Sequence, residues 1–407
     1  MSLSSILRAN PEQLRGKLVR QIIAFAGDGR LLDGSSAASE FREYLRNVPS
    51  GDLARYADEC LAEKFENGGL ALQDIVNQLG RRLGFIVEDG RYRGVAGAIG
   101  FDGIWDSPDG HHIVVEVKTT STFQIELDTI ASYRRELIRS GRITEDRSSI
   151  LIVVGRDQTD DLEAQIRGSR HAWEIRLISV DGLKRLVDLK EDLDDPSIAR
   201  KVSEILIPYE YTRVDRIIDL VFSATEEVLH DQIPQALDIA DGAAAGSLLK
   251  PTQQPTMDIA VDAGPAVDRA GPMMFNAACA QRISAVFRAV LLKRSRTLFS
   301  SPDESIGVVC LVSKEHPGGV YWYGYQDYAR DSLKGFPNAY VAFGCGSPER
   351  IIVIPWNDVE QWLGGMNITD REGHKFWHVK IFFDGNAVVL HRKAGQLRVD
   401  LSKYLIK

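Results

Sequence analysis

The run SSILIVVG at positions 148–155 constrains the fold of this chain more than any other stretch. Its centre, ILIVV, is apolar without interruption. It does not alternate between apolar and polar residues, as a strand with one solvent-exposed face would. A continuous apolar strand of this kind is typical of a sheet that is covered on both faces. The run therefore predicts a sheet with packed layers on either side of it.

The segments around this run alternate between helical and strand patterns. LALQDIVNQLGRRLGF has the spacing of an amphipathic helix, and short strand patterns follow in FIVED, GFDGIW and HIVVEVKTT. IELDTIASYRRELIRSG is a second helical segment before the apolar run, and EIRLISV is a further strand pattern after it. Strands that alternate with helices predict an α/β fold, with a central mixed sheet flanked by helices over residues 67–190.

The remainder of the chain divides by composition and periodicity. Residues 1–66 have helical spacing and residues 191–238 predict a helical connector. Residues 239–272 are rich in Ala, Gly, Pro, Gln and Asp and lack aromatic residues, which favours a flexible linker. Residues 273–407 predict a C-terminal α+β domain that begins with a helix over 280–299 and continues in strands.

Composition excludes several classes of protein. The 407 residues suggest two or three domains, and 44% hydrophobic with 26% charged residues is typical of a soluble globular protein. No apolar run reaches the roughly 18 residues of a membrane span, and the N-terminus lacks the apolar stretch of a signal peptide. The four cysteines are scattered without a CxxC pair. We therefore expect a cytoplasmic protein without a membrane partner, a zinc cluster or a disulfide framework.

The net charge of −8 does not favour a simple nucleic-acid-binding module. An enzyme that holds metal with carboxylates can still be acidic if its basic residues are local. Two local sets are present: Arg134, Arg135, Arg139, Arg142 and Arg147, and then Arg282, Arg288, Lys293, Arg294 and Arg296. The commoner alternative for such a set is a solvated helix face.

Three charged residues interrupt the otherwise apolar strands. Glu116 and Lys118 share one face of the strand HIVVEVKTT, roughly 6–7 Å apart, because successive strand residues face opposite sides. Asp102 begins the preceding strand, and the SPDG turn predicts an antiparallel return that brings Asp102 near Glu116. Paired carboxylates suit Mg²⁺, and the lysine can orient a water or hold a phosphate. The alternative is a salt bridge at a sheet edge.

Asp102, followed after thirteen intervening residues by Glu116-Val117-Lys118, resembles the motif of the PD-(D/E)xK nuclease superfamily. The order of a helix, three strands, a helix and a strand is also similar to that family over about 67–190. The resemblance implies a restriction-endonuclease-like fold. It further implies that Asp102 and Glu116 bind the metal and that Lys118 serves the attacking water.

One position departs from the family pattern. Many members carry a glutamate on the first helix, where this chain has Gln73, with Asp74 about 100° further around the helix. Gln73 can coordinate through its amide oxygen or hold a ligand water, so it remains a catalytic candidate, and the number of metals stays open. Thr119, Thr120 and Gln124 beyond the lysine are candidates either for phosphate contacts or for capping the strand.

The resemblance implies a Mg²⁺-dependent DNA endonuclease, with Mn²⁺ as an alternative metal, that hydrolyses phosphodiester bonds in the restriction of foreign DNA. A repair or recombination nuclease on structured DNA is one alternative. A non-cleaving nuclease-fold scaffold that binds nucleic acid or protein is another. Duplex cleavage further implies a homodimer or larger assembly. Residues 273–407 are expected to recognise DNA or a protein partner.

Other motifs are weaker. A metal site at His111-His112 is conceivable, but solvated turn histidines are commoner, and His374 and His378 lack the HExxH pattern of zinc hydrolases. A catalytic role for Cys345 would need an electropositive pocket that sequence does not reveal.

The aromatic run VYWYGY at 320–325 places Tyr321, Tyr323 and Tyr325 on one strand face and Trp322 on the other. The run predicts either a stacking surface for bases or the core of a β-rich domain, and the core is favoured.

Overall fold

The computed structural model describes residues 2–92, 99–119, 125–155, 160–208, 271–316, 318–371, 374–385, 387–393 and 396–406. Their architecture is α/β with mixed sheets. Residues 209–238 of the predicted helical connector and nearly all of the predicted linker lie outside these residues. Within the described ranges, no helix is both long and apolar enough to cross a bilayer.

The N-terminal region is helical, as its periodicity predicts. It contains α1 (Leu3–Ala9), a 3₁₀ turn (Pro11–Leu14), α2 (Val19–Phe25), α3 (Ser36–Asn47), α4 (Ser50–Ala62) and α5 (Gly68–Arg82). The apolar faces of these helices share one core with one face of the first sheet. They are therefore packed onto the sheet rather than forming a separate bundle.

The first sheet has five strands in the order β1-β2-β3-β4-β5. The strands are β1 (Ile86–Asp89), β2 (Gly103–Asp106), β3 (His112–Lys118), β4 (Ser148–Val154) and β5 (Ile175–Ser179). The first three run antiparallel to one another, whereas β3, β4 and β5 are parallel. All seven residues of β4 are buried, which confirms the prediction from the apolar run.

Helices cover both faces of this sheet. They comprise α5, already given, with α6 (Leu127–Arg139), α7 (Asp160–Arg167), α8 (Val180–Glu191) and α9 (Pro196–Glu204). Val115 of β3 faces the core that contains α5 and α8, and Val114 faces the core that contains α6 and α7. The alternation along β3 thus fixes which side chains face which layer.

The C-terminal region begins with α10 (Gly271–Phe287) and contains two further sheets. One sheet has the order β12-β11-β8-β7-β6, with the strands β6 (Leu292–Lys293), β7 (Leu298–Ser300), β8 (Ile306–Ser313), β11 (Asn338–Cys345) and β12 (Ile351–Pro355). The other contains β9 (Glu315–His316), β10 (Val320–Gln326), β13 (Asn367–Arg371), β14 (His374–Asp384), β15 (Ala387–His391) and β16 (Val399–Asp400). Between strands lie α11 (Asp327–Ser332) and α12 (Trp356–Leu363), and a 3₁₀ turn (Ser402–Tyr404) follows β16.

The helix predicted over 280–299 is wrong in its second half. The helix α10 starts earlier, at Gly271, inside the predicted linker, and ends at Phe287. Arg288 adopts a left-handed backbone conformation with φ of 51°, which terminates the helix. The Ser284 hydroxyl then accepts a hydrogen bond from the backbone N–H of Leu291 at 2.9 Å, turning the chain into the β6–β7 hairpin.

The aromatic run of β10 lies in a core, which confirms the favoured interpretation. Tyr321, Tyr323 and Tyr325 are buried in the apolar layer between the two C-terminal sheets. Trp322 faces the other side, where its Nε1 donates to Nδ1 of His378 at 3.2 Å. The three tyrosines are therefore not a surface on which bases can stack.

Asp194, which follows α8, joins the N-terminal and C-terminal regions. Its carboxylate accepts hydrogen bonds from Ser295 Oγ at 2.7 Å, from Thr297 N at 2.8 Å and from Arg296 Nε at 3.0 Å. The Asp194 side chain is only 4% exposed. A buried carboxylate with several donors is costly to remove, because each donor then loses its partner.

Asp194→Ala should therefore lower the free energy of unfolding by about 3 kcal/mol, measured by urea denaturation. The matched control is Asp192→Ala. Asp192 pairs with Lys293 at 2.6 Å, but both side chains are partly exposed, so this change should cost less than about 1 kcal/mol. Equal losses of unfolding free energy in the two variants would show that Asp194 contributes no more to the contact between the two regions than a partly exposed ion pair does.

Candidate active site

The β2–β3 hairpin brings the two predicted carboxylates together. Gly103 of β2 pairs with Val115 of β3, and the N–H of Asp102 donates to the carbonyl oxygen of Val115 at 3.0 Å. This register places Asp102 opposite Glu116. The Asp102 carboxylate bends towards β3, where its Oδ2 accepts a hydrogen bond from the N–H of Val117 at 2.7 Å.

Glu116 and Lys118 lie on the face of the sheet that packs against α6. Val114, two residues earlier on β3, belongs to the apolar core on the α6 side. The Lys118 ammonium donates to Glu116 Oε1 at 2.6 Å. Glu116 is more buried than Lys118, with 13% and 35% of their side chains exposed. The lysine therefore lies at the solvent side of the acidic pair.

The carboxylates of Asp102 and Glu116 lie close enough that the charge of Glu116 disfavours ionisation of Asp102. Burial, and then the negative charge of Glu116, raise the pKa of Asp102 to about 7. The hydrogen bond from Val117 and the charge of Lys118 oppose this rise only in part. Additional positive charge beside Asp102 would therefore be stabilising at neutral pH.

Lys118 is positively charged in this environment. Burial lowers its pKa, but the hydrogen bond and the charge of Glu116 outweigh burial, and Asp102 adds to them. The pKa of Lys118 is therefore raised above its ordinary value. The group is a hydrogen-bond donor and a positive charge at neutral pH, and it does not act as a base without first losing a proton.

Gln73 is buried on α5 and contacts the main chain of Asp102. Its Nε2 donates to the carbonyl oxygen of Asp102 at 3.2 Å and to that of Arg91 at 3.5 Å. The same Asp102 oxygen accepts from Asn77 Nδ2 at 2.9 Å and from the N–H of Gly90 at 3.0 Å. These contacts make Gln73 a positioning residue for Asp102. Binding of a metal-ligand water by Gln73 remains a prediction.

Asp74, the neighbouring acid on α5, is engaged elsewhere. Its carboxylate accepts from Arg42 Nε at 2.9 Å and from the hydroxyl of Tyr92. Burial raises the pKa of Asp74 to about 6, against the charge of Arg42. Among the residues that the structure describes, no group of three His, Cys, Asp or Glu side chains is arranged to hold a metal.

Three residues near Asp102 were not among the sequence-based candidates. Asn77 and Gly90 hold the Asp102 carbonyl, and Tyr133 of α6 lies close enough for Glu116 to raise its pKa, after burial, which is the larger cause. Asn77 is four residues after Gln73 and so shares its helix face, which is the one signal that the sequence offered. Nothing local in the sequence indicates Gly90 or Tyr133.

The phosphate-contact candidates beyond the lysine are only partly described. Thr119 is exposed, whereas Thr120 and Gln124 lie outside the described residues.

The remaining candidates have structural partners. His111 Nε2 bonds Ser149 Oγ at 2.8 Å and His112 Nδ1 bonds Asp106 Oδ1 at 2.6 Å, so neither is simply solvated as expected for turn histidines. His378 bonds Trp322 and Thr369, and the side chain of His374 lies outside the described part.

Cys345 lacks the environment of a nucleophile. It is buried, and burial raises the pKa of its thiol to about 11. An activated cysteine has a lowered pKa and an accessible sulfur, so Cys345 is better explained as part of the core.

The comparisons with known proteins add no family. No protein-family model matches the chain, and no curated protein matches it.

Proposed function

We propose that this chain is a Mg²⁺-dependent DNA endonuclease of the PD-(D/E)xK type, with a restriction-endonuclease-like domain over about 67–190. The observation that supports the proposal most is the convergence of Asp102, Glu116 and a charged Lys118 at one end of the β2–β3 hairpin. Three residues that are separated in the sequence meet in space, and their side chains are of the types that the proposed chemistry needs.

The residues fit a divalent cation. Mg²⁺ in proteins binds through one or two carboxylates and keeps several waters, so Asp102 and Glu116 are a sufficient protein contribution. Burial, and then the charge of Glu116, raise the pKa of Asp102, so a cation bound between the two carboxylates would favour their ionised forms. Bound Mg²⁺, or Mn²⁺ in its place, would polarise a phosphoryl oxygen and make water a better nucleophile.

Other protein groups would position the Asp102 carboxylate and bind the phosphate or the attacking water. The N–H of Val117 fixes the orientation of the Asp102 carboxylate, and Gln73 and Asn77 fix its main chain. Lys118, as an ammonium group, donates a hydrogen bond to a phosphate oxygen or to the attacking water. Its charge stabilises the negative charge that grows on the phosphate during hydrolysis.

We propose duplex DNA as the substrate and restriction of foreign DNA as the biological role. Cleavage of both strands would be served by a homodimer or larger assembly. The C-terminal region would contribute recognition of DNA or of a protein partner, and the cytoplasm is the expected compartment. Plasmids of different methylation, tested beside branched DNA, distinguish restriction from repair or recombination.

A non-cleaving scaffold is the second candidate, and one observation favours it. The amide of Gln73 is directed at main-chain carbonyls, in the position where many nucleases of this type have a glutamate. The absence of that carboxylate is the feature expected of a protein that retains the nuclease fold but does not cleave DNA.

A cleavage assay separates the two candidates. Wild-type protein should nick or linearise plasmid DNA with Mg²⁺ or Mn²⁺ but not with EDTA, and Asp102→Asn should reduce the rate by at least about 100-fold. Asp106→Asn is the matched control, because Asp106 lies on the same strand and bonds His112. Absence of cleavage by the wild type across metals and substrates, with DNA binding retained, would favour the scaffold.

A further inference from the structure

A cavity of about 270 Å³ lies between the N-terminal and C-terminal regions, away from the candidate active site. One wall is formed by residues 83–85 after α5 together with α8 and α9, and the other by the β6–β7 hairpin. Its apolar lining includes Leu83, Phe85, Leu193, Pro196, Ile207 and Leu298. The joint at Asp194 holds the two walls together.

Three cations line this cavity, Lys190, Arg200 and Arg294, and a fourth, Arg82, lies next to them. Lys190 and Arg294 are lining residues, and the Lys190 ammonium donates to the main-chain oxygen of Arg82 at 2.7 Å. The Arg294 guanidinium makes one hydrogen bond within the described chain, from Nε to Ser300 Oγ at 2.8 Å. The buried Nε of Arg82 has no partner among the described residues.

Acidic residues also lie near this cluster, and Asp109, Asp194 and Glu204 line the cavity itself. No carboxylate in the described part lies within ion-pair distance of Arg82, Lys190 or Arg294. Glu191 acts on all three cations and Glu304 on Arg294 at longer range, and Glu191 Oε1 accepts from Ser50 Oγ at 2.5 Å. Asp194, although it lines the cavity, is already bound by Ser295, Arg296 and Thr297.

The charged forms of Arg82, Lys190 and Arg294 are destabilised in this environment, as their lowered pKa values indicate. Burial, together with the charge of Arg294 and against the charge of Glu191, lowers the pKa of Lys190 to about 8 and that of Arg82 to about 10. Burial also lowers the pKa of Arg294, against the charges of Glu304 and Glu191. Positive charges held close together in a partly buried site without an ion-pair partner are costly, and an anion placed between them would lower that cost.

We propose that this cavity binds a small organic phosphate, with the phosphoryl group between Lys190 and Arg294 and the carbon body against the apolar wall. Arginine and lysine are the usual protein partners of phosphate, and the guanidinium retains unused donors for it. The volume is at the lower end of ligand pockets, which suits a sugar phosphate or a nucleoside monophosphate rather than a polymer. This site is independent of the proposed nuclease activity.

The test is a titration of the full chain with ribose 5-phosphate, AMP, inorganic phosphate and uncharged adenosine, followed by calorimetry. At least one organic phosphate should bind at least about 10-fold more tightly than adenosine, because charge-assisted hydrogen bonds contribute that much. Lys190→Met and Arg294→Met should each weaken its binding about 10-fold or more. Binding of inorganic phosphate alone, or of adenosine as tightly as AMP, would overturn the proposal.

Two controls separate binding from folding. Arg185→Met removes an exposed arginine from the same helix as Lys190 and should leave binding unchanged. Lys190→Arg retains the charge and should also bind. Without ligand, Lys190→Met and Arg294→Met should unfold at the wild-type temperature or above it, because each removes a partly buried cation that lacks an ion-pair partner. Binding at wild-type affinity by both methionine variants would refute the assignment.

Discussion

Lys118→Met should lower the rate of Mg²⁺-dependent DNA cleavage by about 1,000-fold while the protein remains folded. The substitution retains the length of the side chain and removes its charge. The Glu116 carboxylate loses its partner at 2.6 Å, and the positive charge at the solvent side of the acidic pair disappears. The measurement is single-turnover cleavage of a defined DNA duplex, with folding followed by circular dichroism.

The same variant gives a second readout that a merely structural role would not move. Because the ammonium competes with a divalent cation for the two carboxylates, its loss should lower the Mg²⁺ concentration needed for half-maximal binding. The matched control is Lys184→Met, which removes a lysine paired with Asp58 at 2.7 Å at a distance from the site. If Lys118→Met cleaves DNA as fast as Lys184→Met, the proposed role of Lys118 is wrong.

Gly90→Ala should lower the free energy of unfolding by about 3 kcal/mol or more and abolish cleavage. Gly90 is buried where the chain leaves β1. A Cβ atom there would overlap the carbonyl oxygen of Phe101 and lie 2.6 Å from the carbonyl carbon of Asp102. Both neighbours are backbone, so relief requires moving Asp102 itself. Urea denaturation and the cleavage assay measure the two effects.

Gly51→Ala is the control for this substitution. Gly51 lies in the first turn of α4, and a Cβ there would have no heavy atom within 4 Å. Alanine favours the helix by up to about 1 kcal/mol over glycine, so this variant should be as stable as the wild type or more stable. A Gly90→Ala protein that matches Gly51→Ala in stability would show that the β1–β2 connection adjusts freely.

Much of the first sheet follows from sequence because its signals are local. The buried run of β4 and the alternation of β3 specify their environments directly, and the SPDG turn specifies the antiparallel pairing that unites Asp102 with Glu116. The groups that hold Asp102 in place could not be predicted in the same way. Gly90 and Asn77 meet it only through the packing of α5 onto the sheet.

The errors in the C-terminal region have a similar physical origin. The helical spacing of 280–299 continues past Phe287, but a left-handed residue and a serine side chain end the helix there. Arg294 was expected, as the commoner alternative, on a solvated face. It is instead partly buried, because the hairpin that carries it lies against α8 and α9, an arrangement that no local pattern encodes.

Distant parts of the chain line the cavity, so the N-terminal and C-terminal regions cannot be exchanged independently of each other. A C-terminal region joined to a different N-terminal region would bring Arg294 and the serine and threonine donors, but neither Lys190 nor Asp194. Such a chimaera would lack part of the proposed phosphate site and the carboxylate that connects the two regions. Exchange of the C-terminal region should therefore succeed only when α8, α9 and the hairpin are transferred together.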